Sequence, residues 1–101
     1  MFSHETEILR KIRLIEHLKA ELVTDVGQVY HAVAENNGQA VHALADVIIG
    51  GYVLGKRLGI EYAELDEAVR RKVEMLIKQE PEPEKWYGDY SALRHHIQRK
   101  G

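Results

Sequence analysis

The chain contains two prolines, Pro81 and Pro83, and they stand almost side by side near its C-terminus. Proline in a helix interior removes a hydrogen bond and clashes with the preceding turn, so residues 1–80 meet no such break. In the first third, Ile8, Ile12, Ile15, Leu18, Leu22, Val26, Val29 and Val33 recur at steps of three or four, the spacing of one helical face. It predicts a long first helix, or two nearly collinear ones, from about Glu5 to Glu35. Asn36-Asn37-Gly38 should close it, because asparagine and glycine tolerate the left-handed conformation that ends a helix.

A second helix is expected from about Gln39 to Leu58, with Gly59 just past its end and Lys56 and Arg57 complementing the dipole of its last turn. Its middle, Val47 to Gly55, is apolar on nearly every side, and a helix of that kind has to be surrounded. Gly50, Gly51 and Gly55 each lower helix propensity by about 1 kcal/mol relative to alanine, which predicts close helix–helix approach in return. A third helix should span about Glu61 to Lys78, with Leu65, Ala68, Val69, Val73, Leu76 and Ile77 as its apolar stripe. The Glu-Pro-Glu-Pro stretch at 80–83 stops it. Ser91 is placed to cap a short terminal helix through Arg99, preceded by the aromatic residues Trp86, Tyr87 and Tyr90. No strand-like alternation is sustained, so the fold class is all-α. Residues 1–80 read as the helical core and 81–101 as a C-terminal aromatic segment and short helix packed on the core or on a partner subunit. Three major helices have difficulty enclosing a second helix that is apolar all round, so a homodimer or homotetramer with a shared bundle core is expected.

At 101 residues the chain is one domain's worth. Charged residues make up 30% and hydrophobic ones 45%, which suits a globular domain and excludes wholesale disorder. The 14 Lys and Arg against 16 Asp and Glu leave a formal charge of −2, where a domain that tracks phosphates along nucleic acid would carry a basic excess. There is no cysteine, so disulfides, thiolate metal sites and cysteine nucleophiles are excluded together. The N-terminus lacks the basic start and apolar run of a secretory signal, and the most apolar segment, Ala43 to Leu54, is well short of the roughly 20 residues that span a bilayer. A soluble cytoplasmic protein without a membrane partner is expected.

Candidate chemistry lies on the first two helices. Glu21 and Asp25 are four apart with Gln28 three further on, which aligns all three along one face. His42 and Asp46 are likewise four apart on the second helix. If the two helices pack antiparallel, these five residues can face one another, and oxygen-rich clusters of this type hold magnesium or manganese, which in turn neutralises a phosphate. The plain structural alternative is a solvated stripe or an intersubunit hydrogen-bond network, since polar pairs four apart are common on helices. Lys56-Arg57 and Arg70-Arg71-Lys72 are placed to meet nucleotide phosphates or, more simply, to sit in solvent. The aromatic residues at 86, 87 and 90 suit stacking on a base or partner, or fastening the terminal segment to the bundle. His95-His96 is read as a surface feature. Gly27 and Gly55 are read as positions of close helix approach.

The run from Lys19 to Ala32, KAELVTDVGQVYHA, together with HALADVII at 42–49 and VLGKRLGI at 53–60, resembles the MazG-like family of all-α nucleoside triphosphate pyrophosphohydrolases. EKWYGDYSAL at 84–93 is similar to the C-terminal segment of the family's small-protein branch, so the likeness covers roughly residues 12–95. It implies a MazG-like helical bundle completed by oligomerisation, and hydrolysis of a nucleotide between its α- and β-phosphates with magnesium as cofactor, manganese being an alternative. The family's metal is held by Glu-Glu-x-x-Glu on one helix and Glu-x-x-Asp on the next. Here the first motif falls on Thr24, Asp25 and Gln28 and the second on Ala43 and Asp46, so only Asp25 and Asp46 keep a carboxylate. The resemblance then implies Asp25 and Asp46 as catalytic metal ligands, with Glu21, Gln28 and His42 completing the set and Lys56 and Arg57 binding nucleotide. Each carboxylate offsets part of the cost of dehydrating a divalent ion, so this reduced set implies weak or lost catalysis. The alternative is a catalytically silent module that uses the same fold to bind nucleotide or protein.

Overall fold

A computed structural model describes residues 4–100. They form five helices and, among the described residues, no strand: α1 (His4–Glu35), α2 (Ala40–Arg57), α3 (Tyr62–Gln79), α4 (Glu82–Tyr87) and α5 (Asp89–Lys100). The chain divides into two compact units, residues 1–62 and 63–101.

The first unit is an antiparallel helical hairpin. Its turn is built as the sequence predicts: Asn36 takes φ 51° and Gly38 φ 79°, and the Asn37 side-chain oxygen accepts from the backbone N–H of Gln39 at 3.2 Å, a local turn typical of asparagine. Ala32 and Ala43, on either side of that turn, are both buried. Further along, a methyl built on Gly50 would lie 3.3 Å from Leu22 Cδ1 and 3.7 Å from Asp25 Oδ2. The expected close approach is therefore made at Gly50. Around Gly51 and Gly27 a methyl would meet nothing within 4 Å, so Gly27 is not the site of close packing that its position in the sequence suggests.

The end of α2 is closed by Gly59 at φ 91°. Ile60 donates its N–H to the carbonyl of Gly55 at 2.9 Å, and Gly59 donates to Lys56 at 3.1 Å, the paired bonds of a Schellman motif. Tyr62 packs edge-on against Tyr52 with ring centres 6.0 Å apart, and the Lys56 ammonium lies 5.4 Å from the Tyr62 ring centre.

In the second unit Val73 is buried, and Leu65, Leu76 and Ile77 of the predicted stripe are half-buried. Arg94 of α5 donates to Glu74 of α3 at 2.8 Å. Two sequence expectations are corrected here. The stretch after residue 80, read only as the stop of α3, itself forms α4, with Pro83 in its first turn, where a missing N–H costs nothing because no helical acceptor exists for it. Ser91, expected as a helix cap, lies inside α5; the capping acceptor is the Glu84 carboxylate, which takes the N–H groups of Tyr90 and Ser91 at 2.9 Å each and the Ser91 hydroxyl as well. Trp86 and Tyr87, expected to fasten this segment, are 64% and 77% exposed. Polar contacts at Glu84 and Glu74 tie the helices instead.

Candidate functional site

The five polar residues singled out in the sequence sit on the α1–α2 hairpin. Leu22, Val29 and Ala32 turn α1 toward α2, and Ala43, Val47 and Gly50 turn α2 toward α1; at 100° per residue, Glu21, Asp25 and Gln28 fall to one side of that contact, and His42 and Asp46 fall to the same side. The antiparallel packing of the hairpin thus sets all five along one face. Asp25 lies deepest, half-buried beside Gly50. Gln28, His42 and Asp46 are exposed. Glu21 is exposed too and pairs with His17 one turn earlier, at 3.4 Å.

Sharing a face is not the same as converging. Among the described residues no three of His, Cys, Asp and Glu come together where one ion would be held. A magnesium ion requires near-octahedral oxygen ligation at about 2.0–2.1 Å, usually from carboxylates plus waters and phosphates. Thr24 and Ala43, at two of the motif positions, bring no charge; the Thr24 hydroxyl donates to the carbonyl of Ala20 at 3.2 Å. Within one chain the donor set among the described residues does not fit the ion.

Lys56 and Arg57, the proposed phosphate contacts, differ in their surroundings. The Lys56 ammonium is held by the Glu61 carboxylate and lies over the Tyr62 ring. That ammonium bonds and attracts the Glu61 carboxylate, holding its pKa below the usual glutamate range. Arg57 is exposed at the last residue of α2. A second concave feature, which the sequence did not signal, lies in the other unit: a groove of ≈ 260 Å³ lined by Arg70, Val73, Glu74, Arg94, Ile97 and Gln98. Its arginines are already engaged, Arg94 with Glu74 and Arg70 with Glu67 at 3.7 Å.

With this geometry in place, the family follows. The MazG-like family profile matches residues 8–90, most of the chain, and the protein belongs to that family. Comparison with curated proteins and with solved structures returns no match in either case. The match encloses the whole α1–α2 hairpin, so the altered motif positions lie inside the family's own region. Among the described residues no helix is long and apolar enough to cross a membrane.

Proposed function

We propose that this MazG-like chain has lost metal-dependent nucleoside triphosphate pyrophosphohydrolysis, or keeps only a trace of it, and works by binding, with nucleotide as its ligand. The observation that carries the reading is the face of the hairpin itself: Asp25 and Asp46 keep their carboxylates, yet no third donor converges with them. A metal that activates water and polarises a phosphate must first be held, and two aspartates separated along two helices supply little of the ligand field this needs. Binding asks for less. An exposed Arg57 and a polar hairpin face are compatible with a phosphate-bearing ligand whose charge is met from outside the carboxylate pair.

A second reading has one observation in its favour. Glu21, Asp25, Gln28, His42 and Asp46 do share a face, so a bound nucleotide with magnesium or manganese would recruit them if the side chains swing inward. Thermal unfolding separates the two. A ligand at a hundred times its dissociation constant stabilises the native state by about 2.7 kcal/mol, which shifts the midpoint of a domain this small by many degrees. The binding reading expects a nucleotide-induced shift that persists without magnesium and survives Asp46→Ala. A shift that needs the metal and vanishes in Asp25→Ala or Asp46→Ala supports the second reading. No shift with any nucleotide overturns both and turns the search to a protein ligand.

A further inference from the structure

The second unit carries a groove that the nucleotide reading leaves unused. Two helices line it with the same kind of triplet: Arg70, Val73 and Glu74 from α3, and Arg94, Ile97 and Gln98 from α5. Residues three and four apart share one face of a helix, so each helix offers the groove an arginine, a β-branched aliphatic side chain and a carboxylate or amide. Between them lie ≈ 260 Å³ of open space. The floor is apolar, since Val73 is buried and Ile97 half-buried, and the polar groups stand around it.

Those polar groups are unevenly satisfied. Arg94 donates through Nη1 to Glu74 at 2.8 Å, a hydrogen-bonded pair in which the two charges cancel. Arg70 is paired with Glu67, but its Nη1 stands 3.7 Å from the carboxylate, beyond the reach of an N–H···O hydrogen bond. Glu67 is also shared, because its other oxygen accepts from Nε of Arg71 at 3.3 Å. The planar fork of Arg70 is thus held near a carboxylate without being hydrogen-bonded to it. Across the lining, Arg70 and Arg94 against Glu74 leave one positive charge in excess.

We infer that this groove binds a small organic monocarboxylate with an aliphatic body, its carboxylate on the Arg70 guanidinium and its hydrocarbon on Val73 and Ile97. The guanidinium fork matches a carboxylate in bidentate fashion, and the Gln98 amide offers a further N–H donor. One excess positive charge balances a monoanion. A phosphate monoester carries about −1.5 to −2 at neutral pH, and its second charge would face the Glu74 carboxylate. An apolar lining with a few placed polar groups is the usual make-up of a small-molecule site, and the volume falls below the roughly 300 Å³ at which pockets for drug-sized ligands begin, which limits the body to a short chain. A nucleoside triphosphate fits neither the charge nor the space, and none of the residues proposed for nucleotide on the α1–α2 hairpin lines the groove, so the two sites stand or fall separately.

Titration of the full chain with hexanoate, followed through its backbone amide NMR signals, tests the site. Saturable shifts are expected at Arg70, Val73, Ile97 and Gln98, with a dissociation constant on the order of 1 mM for so small a ligand. Hexanamide, which keeps the shape without the charge, and acetate, which keeps the charge without the body, should each bind about tenfold more weakly. Arg70→Gln should weaken hexanoate about tenfold, the worth of a charge-assisted hydrogen-bonded pair. Arg71→Gln removes the same charge one residue along, from an exposed side chain outside the lining, and should leave binding unchanged. Both arginines are exposed, so each variant should keep the helical circular dichroism of the wild type. Inorganic phosphate should not displace hexanoate. Equal binding of hexanoate and either of its analogues, equal losses in the two arginine variants, displacement by phosphate, or no saturable shift at about ten times the expected constant would each overturn the assignment.

Discussion

At Glu80 the backbone takes φ 52°, a left-handed conformation that costs a residue with a Cβ about 1–2 kcal/mol. The position is the first past α3, where glycine usually stands. Glu80→Gly should therefore stabilise the chain by up to about 1 kcal/mol, the relief being partly offset by the greater freedom glycine gives the unfolded state; an unchanged or lower midpoint in thermal unfolding would contradict this. Four residues on, Glu84 shows a different kind of dependence. Its carboxylate accepts from the Ser91 hydroxyl and from the Ser91 and Tyr90 N–H groups, and these bonds hold its pKa below the usual glutamate range. A carboxyl with a folded pKa below its unfolded one contributes stability above the unfolded value and loses it as pH falls through the folded one. Measured from neutral pH down through and below the ordinary glutamate range, the unfolding midpoint of the wild type should fall toward that of Glu84→Gln, which starts lower and lacks this component. Parallel curves would exclude Glu84 as the cap. Neither residue was legible in the sequence. The positive φ follows no glycine or asparagine, and the cap comes from six and seven residues away, across the α4–α5 turn, beyond the reach of a local capping pattern.

The long helices were legible because their signals are local and repeated. Periodicity located α1 to within a residue at each end, and Asn36, Gly38 and Gly59 marked the closures where the structure has positive φ. α4 is hidden in the sequence because Pro81 and Pro83 signal a break, although proline is at home in a helix's first turn. The glycines of α2 show how far such reading goes: composition announces close approach but not which glycine makes it. Gly50 does, and Gly27 on the facing helix does not. Gly27→Ala should gain the full propensity difference of about 1 kcal/mol, while Gly50→Ala should gain clearly less, because its methyl would press on Leu22 and Asp25. Urea unfolding of the two variants side by side checks this, and equal gains would mean that the hairpin is looser there than described. The candidate site divides in the same way. Spacings of three and four align Glu21, Asp25 and Gln28 on α1 and His42 and Asp46 on α2, but whether the two sets share a side and three donors converge depends on the packing of the hairpin, which no single-helix pattern contains.

For the whole molecule, few side chains are buried by the chain itself: Ala32, Ala43 and Val73 among the described residues. α2, read from sequence as a helix that must be surrounded, leaves Ile48 and Ile49 about 60% exposed, so its burial is unfinished within one chain. The chain belongs to the MazG-like family, and Thr24, Gln28 and Ala43 leave the proposed motif with only the carboxylates of Asp25 and Asp46. The proposed function keeps the fold and gives up the metal-dependent reaction. Pyrophosphate release from a panel of ribo- and deoxyribonucleoside triphosphates, with magnesium and with manganese and with Asp46→Ala beside the wild type, tests it most directly. Release by the wild type is expected to be no faster than by Asp46→Ala for every nucleotide and either metal; turnover that the wild type sustains and Asp46→Ala abolishes would contradict the proposed function.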